Sequence, residues 1–175
     1  MADVRLATPK SLSSLNYEAM VVNTMIIGSY TTNASTAWPS ASRAMYIPVA
    51  CPGPFTIRKF TCHNGGAVSG NVDLGIYTSE GQLIISTGGT AQSGTGTQQV
   101  IDVTDTLIPP GWYYLAMVID NGTGTNQRVA SSAFAKRFHG CRQQASAYPL
   151  PSTATFADAA DAYWPSFQAT GVATI

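Results

Sequence analysis

The sequence predicts an all-β protein, a sandwich or barrel of about eight short antiparallel strands. Three observations carry that expectation. Only 10% of the 175 residues are charged, against roughly 25% in an ordinary globular chain. Just two residues are glutamate, Glu18 and Glu80, and exposed helices are built largely from Glu, Lys and Arg. Hydrophobic residues nevertheless make up 45%, enough for a core, so the low charge does not signal disorder. From Ala44 onward apolar and polar residues alternate with period two, interrupted at short intervals by Gly, Pro, Asn and Asp.

Taken in order, the chain separates into three zones. Residues 1–42 read as an amino-terminal arm, rich in Ser, Thr and Asn, with apolar anchors at Leu12, Leu15, Tyr17 and over residues 20–27. That arm holds one strand, followed by a loop over residues 31–42 in which Pro39 keeps Trp38 out of helical geometry. Residues 43–134 form the sandwich core. A strand over 45–50 is confined to an edge or a bulge by Pro48, and Cys51-Pro52-Gly53-Pro54 makes a turn. The next strand, 55–63, places Phe60 and Cys62 on one face and Phe55 and Ile57 on the other. Residues 71–78 alternate most cleanly, with Val72, Leu74 and Ile76 opposite Asp73, Gly75 and Tyr77. Ser79-Glu80-Gly81 turns the chain into a strand over 83–87, and the glycine-rich stretch 88–97 reads as a flexible connection. A strand over 98–104 leads to the corner Pro109-Pro110-Gly111. Residues 112–120 are apolar on both faces, which predicts a central, doubly covered strand. A return strand over 128–134 completes the core. Residues 135–175 read as a carboxy-terminal extension, with two helical turns over 156–164 and a closing strand over 168–175.

Charge and chemistry narrow the function. Lys plus Arg and Asp plus Glu number nine each, so the sequence gives no electrostatic ground for nucleic-acid or anionic-membrane binding. Residues 1–10 carry Asp3 and Arg5 with no apolar run, unlike a secretory signal. The expectation is synthesis in a cytoplasm, where three cysteines, Cys51, Cys62 and Cys141, stay as thiols. A nucleophilic hydrolase is not expected, because no G-x-S-x-G elbow occurs and His63 and His139 are the only imidazoles. Cys62-His63 and His139-Gly140-Cys141 supply zinc-type ligands. Neighbours on a strand point to opposite faces, however, so Cys62 and His63 share an ion only if the strand ends between them. Whether these four residues meet in space is left open, and no metal or cofactor is assigned. Asp73, Asp102, Asp105 and Asp120 sit where carboxylates usually face solvent or cap turns. The aromatic run Trp112-Tyr113-Tyr114, with Trp38, Tyr163 and Trp164, is read mainly as core and secondarily as stacking platforms for sugars.

One further signal lies in the middle of the chain. The strand G-N-V-D-L-G-I-Y from Gly70, the short E-G hairpin, the Thr/Gly/Ser loop, V-I-D-V-T-D from Val100 and P-G-W-Y-Y-L-A from Pro110 follow one another, preceded by F-T-I-R-K-F from Phe55. This arrangement resembles a module of structural proteins of tailed-bacteriophage particles. The resemblance covers about half the chain and leaves both end zones outside it; it implies a jelly-roll β-sandwich, no catalytic residues and assembly as trimers. The expectation that follows is a non-enzymatic virion protein made in the host cytoplasm. As a capsid cement or decoration protein, it would contact copies of itself and the major capsid protein or another virion protein. The alternative is a tail or fibre domain binding host glycans. Intersubunit contacts are expected from Leu12, Leu15, Tyr17, Met20 and Val22 of the arm, and from Tyr163, Trp164 and Phe167 near the carboxy terminus.

Overall fold

The computed structural model describes residues 19–21 and 33–173. Among these the chain is nearly all β, with every strand pairing antiparallel. In order the elements are β1 (Ala19–Val21), β2 (Asn33–Ala37), β3 (Ala44–Cys51), β4 (Phe55–His63), β5 (Asn71–Thr78), β6 (Leu83–Ser86) and β7 (Thr90–Ala91). There follow β8 (Gln98–Ile108), β9 (Gly111–Ile119), β10 (Thr125–Ala130), the helix α1 (Ala133–Phe138), β11 (Arg142–Gln144), β12 (Ala157–Asp158), β13 (Tyr163–Pro165) and β14 (Phe167–Ala173). One sheet has the order β1-β14-β4-β8, a second β12-β11-β3-β9-β5-β6 with β7 beside β5, and a third β13-β10-β2.

The first two sheets share one core. Phe55, Ile57, Phe60, Cys62 and Phe167 from the first meet Ile47, Leu74, Ile76, Leu115 and Met117 from the second, and Trp38, Val129, Tyr163 and Trp164 join them. Alternation explains the second sheet directly. Val72, Leu74 and Ile76 of β5 point into this core, whereas Tyr77 points to the other face. β9 lies between β3 and β5 and is buried on both sides, with Leu115, Met117 and Ile119 inward and Ala116 and Val118 outward. The outward side is covered by residues 147–156, whose Ala147, Leu150 and Phe156 pack on Tyr46, Tyr77 and Tyr114. That strap is tied down by Tyr77 Oη donating to the Pro151 carbonyl at 2.7 Å, and by the Leu83 and Ala154 amides bonding to Ser152 and Gly81 carbonyls. Pro48 sits where β3 has outrun β11, which pairs only with Ala44, Met45 and Tyr46, so its missing N–H costs no strand pairing.

Several expectations are corrected. Phe55 and Ile57 share the core face with Phe60 and Cys62, because Arg58 is an extra residue against β14 and flips the parity of β4 midway. Residues 33–37, expected as loop, are strand β2, since β10 offers a partner that overrides their turn composition. Residues 156–164 hold no helix. Their backbone pairs instead in β12 and β13. The helix lies at 133–138, where part of a strand was expected, and β10 ends at Ala130. The glycine-rich 88–97 stretch is anchored: Asn64 Nδ2 donates to Ser93 O and to Gln99 Oε1, and Gln92 Nε2 donates to Asn64 Oδ1 and Thr125 O. These three buried amides satisfy one another and the loop backbone, which makes burying them tolerable. Residues 142–173 add β11 to β14 to the three sheets, and β14 (Phe167–Ala173) lies where the closing strand is expected.

The close crossing at the bulge yields a prediction. A Cβ added at Gly171 would lie 1.8 Å from the Thr56 carbonyl oxygen, a contact with backbone that no rotamer change relieves. Gly171→Ala is expected to lower the unfolding free energy by about 3 kcal/mol, as overpacking at a rigid site does. Chemical denaturation followed by tryptophan fluorescence measures it, and an unchanged midpoint would refute the account of the bulge.

Candidate functional site

The residues with metal-binding or catalytic chemistry are dispersed. Cys62 and Cys141 are buried, His63 Nε2 lies 3.3 Å from the Gly96 carbonyl oxygen, and His139 sits at the surface with its ring edge on Trp164 at 5.7 Å. Among the described residues no three or more His, Cys, Asp or Glu side chains gather as metal ligands. The thiols are held protonated. Desolvation pushes Cys62 up to about 12, and it pushes Cys141 up to about 12 against the opposing charge of Lys136. Cys51 is also raised by burial, and a hydrogen bond with the Gly53 backbone opposes that rise.

The four candidate carboxylates have separate structural duties. Asp102 faces Lys59 at 3.4 Å and Asp105 faces Arg58 at 3.1 Å, exposed pairs across β4 and β8. Burial pushes the Asp73 carboxyl above its ordinary range, although the Leu150 amide at 3.0 Å and Thr87 Oγ1 at 3.1 Å donate to it and pull it back. Asp73 thereby fastens the strap over β9. Asp120 is desolvated too, but hydrogen bonds from Asn71 and Asn121 outweigh that and lower it.

The residues expected at intersubunit contacts divide. Leu12, Leu15, Tyr17 and Val22 lie outside the described residues. Met20 pairs through its backbone with Ala169, as β1 lies along β14. Tyr163, Trp164 and Phe167 belong to this chain's own core, only 4–5% exposed, so the structure uses them within one chain. The physical reason is that the chain crosses at Ser166 from the sheet of β13 to that of β14, with the Ser166 amide on the Gln127 carbonyl and its carbonyl accepting from the His63 amide, so that all three rings lie in the shared core. Of the aromatic residues weighed as sugar platforms, Trp38 and Tyr113 are buried as well, while Trp112 is 61% exposed.

Two surfaces remain. On the outer side of the first sheet Lys59, Val100, Asp102 and Leu107 are exposed, and the charges there cancel in adjacent pairs. The other surface is α1. Ser132 caps it by accepting from the Ala135 amide at 3.0 Å, and Gly140 at φ +74° ends it. Sequence reasoning missed this helix, although Ser132 and Gly140 bracket it with ordinary start and stop signals. Its buried residue is Lys136, whose Nζ donates to Asp161 Oδ1 at 2.8 Å. Arg43 approaches the other oxygen of Asp161 at 3.5 Å. Among the described residues no helix is long and apolar enough to cross a membrane.

Two outcomes follow. Asp161→Ala leaves a buried ammonium without its counter-charge and is expected to cost about 3–5 kcal/mol, whereas Asp102→Ala, at an exposed pair, costs less than about 1 kcal/mol. Equal losses in urea denaturation would contradict this ranking. Iodoacetamide at mildly alkaline pH is expected to leave Cys62 and Cys141 unmodified in the folded protein and to alkylate both in denaturant, as peptide mass spectrometry reads directly. Comparison with protein-family models, with curated proteins and with solved structures finds no match.

Proposed function

We propose that the chain is a non-enzymatic structural protein of a tailed-bacteriophage particle, a capsid cement or decoration protein built on a jelly-roll β-sandwich. In this reading it assembles as a trimer, sits in the virion beside the major capsid protein, and is made in the host cytoplasm. The observation that carries it is the outer side of the first sheet. Arg58 with Asp105 and Lys59 with Asp102 neutralise each other there, between Val100 and Leu107, which are left exposed. Such a surface meets another protein with little uncompensated charge to desolvate. The resemblance of residues 69–120 to particle proteins supports the same reading. The expected arm contacts Leu12, Leu15, Tyr17 and Val22 belong to this proposal, with Met20 anchoring the arm to β14 of its own chain, and the free part of such an arm adds to a neighbour's sheet edge through main-chain hydrogen bonds.

A second reading, a tail or fibre domain binding glycans, is favoured by one feature. Trp112 is exposed at the start of β9, on the face shared with Tyr114, and an exposed indole is a surface for stacking sugar rings.

Light scattering on the full chain tests the first reading. The expected mass is three times the 18.4 kDa of one chain. Val100→Glu or removal of residues 1–18 should shift the mass towards one chain without changing the β-type circular dichroism. A wild-type protein that stays monomeric at micromolar concentration, and that fails to sediment with capsids, would overturn it. Glycan-array binding lost in Trp112→Ala would instead favour the second reading.

A further inference from the structure

Helix α1 is built inside out. Phe134 and Phe138, 72% and 78% exposed, stand one turn apart on the same side, their rings 6.4 Å apart with planes at 23°. Lys136, roughly opposite them on the helix, is 1% exposed. Rotating α1 by half a turn would bury both rings and free the ammonium, the arrangement that the hydrophobic effect prefers. Specific bonds prevent that rotation. Lys136 Nζ is held by Asp161, Asp161 Oδ1 also accepts from the Tyr163 amide at 2.9 Å, and the Cys141 amide bonds to the Lys136 carbonyl at 2.9 Å. The fold thus uses a buried ion pair to keep two phenylalanines pointing outward.

Charge then indicates what these rings meet. Arg43, Arg58, Lys59, Lys136 and Arg142 each face an aspartate, and Arg128 lies over the Tyr163 ring. Arg137 is exposed on α1 to one side of the two rings, and no carboxylate faces it among the described residues. We propose that the outward face of α1 docks a peptide segment of another protein in which carboxylates alternate with large apolar side chains. A carboxylate there accepts two parallel N–H bonds from the Arg137 guanidinium, while an apolar side chain covers the Phe134 and Phe138 rings. A second copy of this chain fits less well, because a two-fold contact would set Arg137 against Arg137. An anionic membrane fits less well too, since such surfaces recruit clusters of about four to eight basic residues. The proposal is independent of the particle role and of the first-sheet surface.

The test is fluorescence anisotropy on the full chain with a short fluorescein-labelled peptide alternating Asp with Phe and Leu, beside the same peptide with Lys for Asp. Wild-type protein should bind the acidic peptide at least about tenfold more tightly than the basic one. Phe134→Ser with Phe138→Ser should remove that binding, and Arg137→Glu should reverse the preference; these exposed substitutions leave the core intact, as circular dichroism checks. Equal affinity for the two peptides, or no binding of either, overturns the proposal. So do three other results: binding that appears only after residues 1–18 are removed, self-association lost in the double Phe variant, and attachment to phosphatidylserine vesicles lost in that variant. These would assign the face to the chain's own amino terminus, to a second copy or to a lipid surface, respectively.

Discussion

Burial of β9 on both of its faces is the constraint from which most of the architecture follows. A strand with Leu115, Met117 and Ile119 on one side and Ala116 and Val118 on the other cannot be satisfied by one opposing sheet. The first sheet covers one side, so the chain must supply a second cover, and residues 147–156 do so. A covering segment without long strands has backbone groups to satisfy. That explains the concentration of side-chain bonds along it, from Tyr77 Oη, Gln144 Oε1 and the Asp73 carboxylate. A buried carboxylate that looks misplaced in a β-strand is therefore the anchor of the second cover, and its raised proton affinity is the cost of placing it there.

The parts of this arrangement that were legible in the sequence are those governed by local periodicity. Alternation in β5, the two apolar faces of β9, the turns at Pro52-Gly53 and Ser79-Glu80-Gly81, and the Pro109-Pro110 corner all follow from neighbouring residues. What escaped depends on partners distant in the chain. The parity flip at Arg58 is invisible in F-T-I-R-K-F, because the extra residue is defined only against β14, over a hundred positions away. Strand β2 has the composition of a loop and becomes a strand because β10 pairs with it. Tyr163, Trp164 and Phe167 look available for another subunit in the sequence, but β13 and β14 lie in different sheets around one core, which all three rings enter. Helix α1 was obscured for a different reason: its apolar residues face solvent, so its pattern contradicts the rule by which helices are recognised.

Low charge acquires a specific meaning in this setting. Of the basic side chains in the described region, five face aspartates and one packs on an aromatic ring, so the surface is largely neutral by pairing as well as by composition. Beside the buried Asp73 and Lys136, the interior also holds neutral polarity: Asn64, Gln92 and Gln99 bind one another and the turns around them with no ion to desolvate at that cluster. Neutral amides of this kind do not titrate, so their own hydrogen bonds persist over the range in which carboxylates change charge.

The position of β14 also sets the order in which the molecule can be completed. This strand follows β1 and β4 by more than a hundred positions in sequence, yet it lies between them in the sheet. Until it arrives, β4 lacks its partner on one side and β1 has nothing to pair with. The first sheet therefore cannot be completed by local pairing alone, and its closure depends on contacts of long sequence separation that fold slowly. Closure of the first sheet thus waits on the meeting of segments that are far apart in sequence.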